Sequence, residues 1–125
     1  LIFTSRLIND EMPGKVAGKI RKAVRGLADP KIVALGAAYK ANTEDTRESP
    51  AIEIVKLLRE DGYEVAHYDP LAAGYQYPAG ASLATVCAGA DLLAILIQHD
   101  AVLTELEATR PAIERAMRRP AILVF

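Results

Sequence analysis

Residues 31–36 read Lys-Ile-Val-Ala-Leu-Gly, four apolar residues between a lysine and a glycine. The continuous apolar run 32–35 predicts a strand that is buried on both faces, as strands of parallel sheets are. Gly36 ends the strand, and a polar loop over 37–48 follows it. Ser49-Pro50 then begins a helix, because a serine hydroxyl caps free backbone N–H groups and proline fits the first helical turn.

Strands and helices alternate along the rest of the chain. Besides the strand over 31–35, further strands are predicted over 63–68, 91–97 and 121–125. Helices are predicted over 50–60, 82–89 and 103–117, the last of them broken near Pro111. Such alternation gives one parallel sheet with helices on both faces and right-handed crossovers. The sequence therefore predicts an α/β domain of three layers.

One long helix is predicted ahead of this unit. It begins near Asn9, Asp10 and Pro13 and continues to about Leu27, where Gly26 and the turn at 28–30 end it. Its apolar residues recur at spacings of three and four and form a single stripe: Val16, Ala17, Ile20, Ala23, Val24 and Leu27. We interpret the lysines and arginine of the opposite face as solvated.

Composition excludes several classes of protein. A chain of 125 residues, 51% hydrophobic and 25% charged, is typical of one globular domain rather than a disordered tail, a fibre or a disulfide scaffold. A formal net charge of −1 gives no electrostatic footprint for duplex nucleic acid. The longest apolar stretch, 92–97, is too short to span a membrane. Residues 1–10 have no basic region followed by an apolar block, so we expect no signal peptide there.

The ionisable residues outside the polar loop indicate little chemistry by themselves. The single cysteine, Cys87, favours a reducing, cytoplasmic setting, and we interpret it as a small core residue. His67 and His99 lack the spacing of metal ligands, so no metal site is predicted. Asp69 stands where a dinucleotide-binding domain places its ribose-binding acid, but Pro70 follows it and favours a turn.

The loop over 36–49 is the most informative segment, since most connections from strand to helix have two to six residues. It lacks the glycines of a dinucleotide fingerprint, and no Gly-Lys-Ser/Thr of a P-loop follows. It still offers groups that bind a pyrophosphate: a point charge on Lys40, a forked donor on Arg47, and the free N–H groups of the helix that begins at Ser49. The alternative is that Arg47 pairs with Glu44 or Asp45 and braces the loop.

The residues of this loop and its neighbours resemble the carboxyl-terminal domain of the UDP-glucose/GDP-mannose dehydrogenase family. The similarity is strongest over 36–50, Gly-Ala-Ala-Tyr-Lys-Ala-Asn-Thr-Glu-Asp-Thr-Arg-Glu-Ser-Pro. It extends to three further segments: 62–70, 88–91 and 119–124. Residues 8–13 resemble the start of the connecting helix in members of the UDP-N-acetylmannosamine type. The resemblance covers essentially the whole chain.

The resemblance implies a Rossmann-like domain within an NAD-dependent enzyme of polysaccharide biosynthesis. Family members oxidise the C6 hydroxyl of a nucleotide sugar to a carboxylate in two hydride transfers. An amino-terminal domain binds NAD, a central helical region forms the dimer, and the carboxyl-terminal domain closes over the nucleotide sugar. On this basis residues 1–28 are the end of the dimerisation region with its connecting helix. Residues 29–125 are the UDP-binding domain, truncated at its carboxyl-terminal end.

The same resemblance assigns roles to three residues. Tyr39 and Lys40 are expected to contact the nucleotide sugar, here a UDP-sugar, and Arg47 is expected to reach NAD. The family's catalytic cysteine lies upstream of this region, so the chain contains no catalytic residue and is expected to be inactive alone. The chain does not begin with Met, and we expect it to be part of a longer, homodimeric enzyme.

Two other functions stay open from the sequence. One is a stand-alone, non-catalytic module of similar fold that binds a nucleotide or CoA. The other is a structural dimerisation domain built on the helix over 9–27. If the chain belongs to the family that it resembles, the identity of the sugar and the choice between UDP and GDP are also open. The residues at 8–13 favour UDP and an N-acetylated sugar.

Overall fold

A computed structural model of the chain describes residues 2–4, 12–38, 41–47, 49–72, 74–75 and 82–125. These residues form five strands and four helices. The strands are β1 (Ile2–Thr4), β2 (Lys31–Leu35), β3 (Glu64–Tyr68), β4 (Leu92–Ile95) and β5 (Ile122–Val124). The helices are α1 (Met12–Ala23), α2 (Pro50–Glu60), α3 (Leu83–Val86) and α4 (Asp100–Ala116).

The strands form one parallel sheet in the order β1-β5-β4-β2-β3. In the centre of the sheet Ile32 pairs with Val65 on one side and with Leu92 on the other. This arrangement confirms the predicted α/β fold. The prediction missed β1, because three residues beside the chain's first position carry too little pattern to reveal a strand.

Helices cover both faces of the sheet, and β2 shows why. Ile32 and Ala34 point into one core, which α1 and α2 cover. Val33 and Leu35 point into the other core, which α3 and α4 cover. Successive side chains of a strand face opposite sides, so a continuous apolar run supplies both cores. The three predicted layers are confirmed.

The helix before this unit packs into the first core. Val16, Ala17, Ile20 and Val24 are almost completely buried, as the apolar stripe predicted. The helix ends at Ala23, earlier than the predicted end near Leu27. After Ala23 the chain forms turns whose backbone hydrogen bonds join residues three apart, such as the bond from Leu27 N–H to the Val24 carbonyl. Gly26 has φ 85°, which ends the helical conformation. The predicted helix start at Asn9 and Asp10 lies outside the described residues.

The predicted break near Pro111 is wrong, since α4 runs without interruption from Asp100 to Ala116. Proline removes one backbone N–H, which would otherwise bond to the carbonyl of Glu107. Both Pro111 and Glu107 are exposed, so water can satisfy that carbonyl. The buried residues on the other side of α4, Val102, Leu106 and Ile113, hold the helix to the sheet.

The order of strands reverses at β2. The chain passes from β2 to β3 on one side and then returns to β4 on the other. In open parallel sheets, ligands bind in the crevice outside the carboxyl ends of the strands at such a switch point. The loops that begin at Gly36, Asp69 and Leu96 leave the sheet at this edge.

Candidate functional site

Hydrogen bonds join the three loops at the carboxyl edge of β3, β2 and β4. At their base, Gly36 N–H donates to the Tyr68 carbonyl over 2.9 Å. Leu96 N–H donates to the Leu35 carbonyl over 2.8 Å. The loop after the central strand β2 therefore starts from a fixed position between its two neighbours.

Asp69, the residue that follows β3, is the acceptor at the centre of this edge. Its Oδ2 accepts from Ala37 N–H over 2.8 Å, from Ala38 N–H over 3.3 Å and from His99 Nε2 over 2.8 Å. Its Oδ1 accepts from Leu71 N–H over 2.9 Å. Burial alone would raise the pKa of Asp69, but the donors from Ala37, His99 and Leu71 outweigh it and the pKa lies below the usual value. The carboxylate is ionised, and both of its oxygens accept hydrogen bonds.

His99, the residue before α4, links the loop after β4 to the loop after β2. Its Nε2 faces Asp69, and its Nδ1 accepts the backbone N–H of Asn42 over 2.8 Å. A backbone N–H can only donate, so Nδ1 carries no proton and the proton of the ring is on Nε2. The ring is therefore neutral and is completely buried.

Asn42 also bonds to the first residue of α4. Its Oδ1 accepts from Asp100 N–H over 2.8 Å, and its Nδ2 donates to Asp100 Oδ2 over 3.2 Å. Asn42 has φ 60°, a left-handed conformation that asparagine tolerates better than most residues. The side chain of Asn42 thus satisfies a free N–H at the start of α4.

Ser49 closes the other end of the loop. Its Oγ donates to the Ala38 carbonyl over 3.1 Å and accepts from Ile52 N–H over 3.4 Å. The serine cap and the proline at the first turn of α2 confirm the predicted helix start. One hydroxyl therefore joins the beginning of the loop to the beginning of α2.

Arg47 pairs with Asp45, which is the alternative that the sequence left open. The Arg47 Nη2 lies 2.7 Å from Asp45 Oδ2, and the Arg47 side chain is 87% exposed. The hydrogen bond from the guanidinium, together with that from Arg47 N–H, lowers the pKa of Asp45 to about 2. The pair lies at the surface, and Arg47 is the more exposed of the two residues.

His67, on the edge strand β3, supports the first residue of the loop. Its Nε2 lies 2.7 Å from the Gly36 carbonyl, to which it donates. Its ring meets Tyr75 edge-on, with centroids 4.9 Å apart. Burial lowers the pKa of His67 from its ordinary value of 6.5, although the bond to Gly36 acts in the opposite sense.

The predicted site residues have different outcomes. Tyr39 and Lys40 lie outside the described residues, while Arg47 is described and exposed on the same loop. Asp69 does form the predicted turn, through Leu71 N–H, and is too deeply buried to meet a ribose in this arrangement. The interpretation of Cys87 as a core residue is confirmed, since its side chain is buried and the pKa of its thiol is raised to about 12.

The sequence missed the partnership of Asp69 with His99. The sequence offered one weak signal of this contact: Asp69 and His99 each follow a buried strand within a few positions. Only the order of the strands reveals that the two side chains meet. Among the described residues no group of three potential metal ligands occurs, and no helix there is long and apolar enough to cross a membrane.

The comparisons with known proteins agree with this geometry. A family model described as the UDP binding domain of the UDP-glucose/GDP-mannose dehydrogenase family matches residues 33–124. The UDP-N-acetyl-D-mannosamine dehydrogenase of Methanococcus maripaludis is 40% identical over 101 residues, which are 79% of this chain and 23% of that protein. The enzyme of the same name from Methanocaldococcus jannaschii is 43% identical over 100 residues, 80% of this chain and 23% of that protein.

A solved structure extends the similarity to three dimensions. The UDP-D-ManNAc dehydrogenase of Pyrococcus horikoshii superposes with a TM-score of 0.76 at 33% identity, covering 93% of this chain and 27% of that one. The chain thus spans about a quarter of the length of the relatives that it matches. The family model alone covers most of the chain, and the chain therefore belongs to the UDP-glucose/GDP-mannose dehydrogenase family, as its UDP binding domain.

Proposed function

We propose that this domain binds a UDP-sugar within an NAD-dependent dehydrogenase that oxidises the sugar C6 hydroxyl to a carboxylate. The observation that carries the proposal is the position of the loop over 36–49, which leaves β2 at the switch point of the sheet in a UDP binding domain. The relatives named UDP-N-acetyl-D-mannosamine dehydrogenase support an N-acetylmannosamine substrate over glucose.

Tyr39 and Lys40 are the residues that we propose to contact the UDP-sugar. They stand in the sequence between Ala38 and Asn42, whose backbone N–H groups are held by buried acceptors. The lysine supplies the positive charge that a diphosphate requires. The first turn of α2, which begins beside Ala38, adds backbone N–H groups at the same edge.

We assign Arg47 to the cofactor. Its guanidinium pairs with Asp45, and its side chain is 87% exposed at the surface of this domain. A planar guanidinium fits the phosphate oxygens of a dinucleotide. The chain has no glycine-rich dinucleotide fingerprint, so we propose that NAD is bound mainly by another domain. Bound NAD would supply the hydride acceptor, and Arg47 would orient it across the cleft.

We propose that residues 1–28 belong to the end of a central dimerisation region and that residues 29–125 form the UDP-binding domain. The partners are then the NAD-binding and central domains of the same cytoplasmic, homodimeric enzyme. The catalytic cysteine is assigned to those domains because Cys87 is buried and un-ionised.

Calorimetric titration of the chain with UDP tests the proposal, with GDP as the control nucleotide. We expect UDP binding that weakens about tenfold in Lys40→Ala, the loss of one charge-assisted contact. Lys22→Ala is the matched control, because it removes a lysine far from the loop. The neighbouring residue, Ala23, accepts a hydrogen bond from Arg119, which lies at the amino-terminal edge of the sheet. Equal UDP affinity in wild type and Lys40→Ala would refute the role of Lys40. If UDP binds neither the wild-type chain nor Lys40→Ala, the complete enzyme decides. Unchanged kcat and KM in the complete enzyme carrying Lys40→Ala would refute the role of Lys40.

A further inference from the structure

Two buried polar side chains hold the backbone on both sides of residues 39–40. Asp69 accepts the N–H groups of Ala37 and Ala38 on one side, over 2.8 and 3.3 Å. His99 accepts the N–H of Asn42 on the other side, over 2.8 Å. The two side chains bond to each other over 2.8 Å, and neither is exposed to solvent. One connected pair therefore sets both ends of this part of the loop.

The hydrogen bonds of this pair connect segments that follow three different strands. Asp69 directly follows the edge strand β3, and His99 follows β4 on the far side of β2. Ala37 and Ala38 follow β2 between them. The bonds thus cross the switch point of the sheet, so the rigid strands determine where Ala38 and Asn42 lie.

Polar atoms at buried positions are costly unless each has a partner. Here Asp69 receives four donors, and both ring nitrogens of His99 are used. An aliphatic residue at 99 would leave the carboxylate of Asp69 short of one donor and the N–H of Asn42 without its acceptor. A glutamine would offer an amide N–H and a carbonyl oxygen in their place.

We infer that Asp69 and His99 are positioning residues for the UDP-sugar site: they order the loop on both sides of residues 39–40 before ligand arrives. The inference rests on the proposed function for its ligand, and on the described hydrogen bonds for the ordering. A loop that is already ordered loses less conformational freedom on binding, so ligand binds more tightly. The pair touches no ligand in this account and acts only through the loop.

The test compares His99→Leu with His99→Gln in the 125-residue chain. Amide hydrogen exchange is measured at Ala37, Ala38 and Asn42 without ligand, and UDP affinity is measured by titration. We expect exchange at Asn42 to accelerate at least tenfold in His99→Leu, with weaker UDP binding, and His99→Gln to restore both. Unchanged exchange at Asn42 in His99→Leu would overturn the inference.

Asp91→Asn is the matched control for general destabilisation. Asp91 is also a buried aspartate beside a strand, but it accepts from Lys31 N–H and Arg118 at the amino-terminal edge of the sheet. We expect Asp91→Asn to lower the unfolding temperature and to leave the exchange at Asn42 and the UDP affinity as they are, once both are compared under fully folded conditions. Equal effects in Asp91→Asn and His99→Leu would overturn the positioning role.

Nitrogen NMR of the His99 imidazole in the wild-type chain provides a second test, which does not depend on the folding of any variant. We expect His99 Nδ1 to be unprotonated and to show coupling to the Asn42 N–H through the hydrogen bond. A proton on Nδ1 would overturn the inference. If the wild-type chain binds no UDP, the complete enzyme carrying Lys40→Ala tests the proposed function, while the exchange data still decide whether the pair orders the loop. Faster exchange with unchanged UDP affinity would overturn the positioning role alone.

Discussion

Gly36 lies against Ile97 so closely that a Cβ on Gly36 would stand 2.5 Å from the Ile97 Cβ and 2.8 Å from its backbone nitrogen. Gly36 also has φ 109°, a conformation that residues with a side chain rarely adopt. It is the first residue after β2, and Ile97 lies just beyond β4. The contact therefore joins the two loops of the switch point at their base.

Replacing Gly36 by alanine should destabilise the domain by about 2–4 kcal/mol, since it combines a strained φ with overlap against backbone. Chemical denaturation of the chain measures this difference. Gly62→Ala is the matched control, because Gly62 has φ 90° but no atom within 4 Å of the added Cβ. We expect about 1 kcal/mol there. Equal losses at both positions would show that the contact with Ile97 is unimportant.

Removing the Arg47 side chain should affect cofactor use and not folding. The side chain is 87% exposed and pairs with Asp45 at the surface, so Arg47→Ala should change the free energy of unfolding by less than about 0.5 kcal/mol. In the complete enzyme we expect KM for NAD to rise and UDP affinity to be unchanged. An unchanged KM for NAD would remove Arg47 from the cofactor site.

Acid should destabilise the domain partly through His67. Because burial holds the pKa of folded His67 below its ordinary value of 6.5, the unfolded chain binds a proton that the folded chain does not. The stabilisation is thus complete above the ordinary pKa and is lost as pH falls toward the folded pKa, by at most about 1.4 kcal/mol per pH unit.

His67→Gln isolates that contribution, because glutamine keeps a donor for the Gly36 carbonyl but does not titrate. Unfolding free energies of both chains are measured from about pH 8 to about pH 5. We expect the curve of the variant to be flatter below the ordinary histidine pKa. Parallel curves for wild type and His67→Gln would contradict the prediction.

Cys87 should be inert in the folded domain. It is fully buried, and burial raises the pKa of its thiol to about 12, so thiolate is scarce at neutral pH. A thiol reagent should label the chain in denaturant and leave it unlabelled in buffer over the same period. Labelling of the folded chain at the rate of the denatured one would mean that Cys87 is accessible, against its place in the core.

Features that depend on neighbours in sequence were predictable. The strand over 31–35 has its predicted bounds, because a run of four apolar residues between a lysine and a glycine allows little else. Ser49 caps α2 through Ile52 N–H, as the Ser-Pro pair indicates. The sequence offered two alternatives for Arg47, binding a phosphate or pairing with Glu44 or Asp45. The pairing with Asp45 was predictable because the two residues are only two positions apart.

Features that depend on distant residues were not. His99 and Asp69 are 30 positions apart in the sequence. They meet because β3 and β4 lie on the two sides of β2, so that the loops after these strands converge over the end of β2. The continuity of α4 through Pro111 was missed because local preference favours a break, whereas the packing of Leu106 and Ile113 holds the helix on the sheet. Tertiary contacts override local preference in both cases.

NMR mapping of UDP on the 125-residue chain tests whether the nucleotide binds at the loop over 36–49. UDP is added to millimolar concentration, and the backbone amide signals are followed in wild type and in Lys40→Ala. We expect shifts concentrated between Gly36 and Ser49 and at the first turn of α2, and we expect them to be smaller in Lys40→Ala. Shifts confined to other surfaces, or shifts that persist unchanged in Lys40→Ala, would rule out a UDP site at this loop.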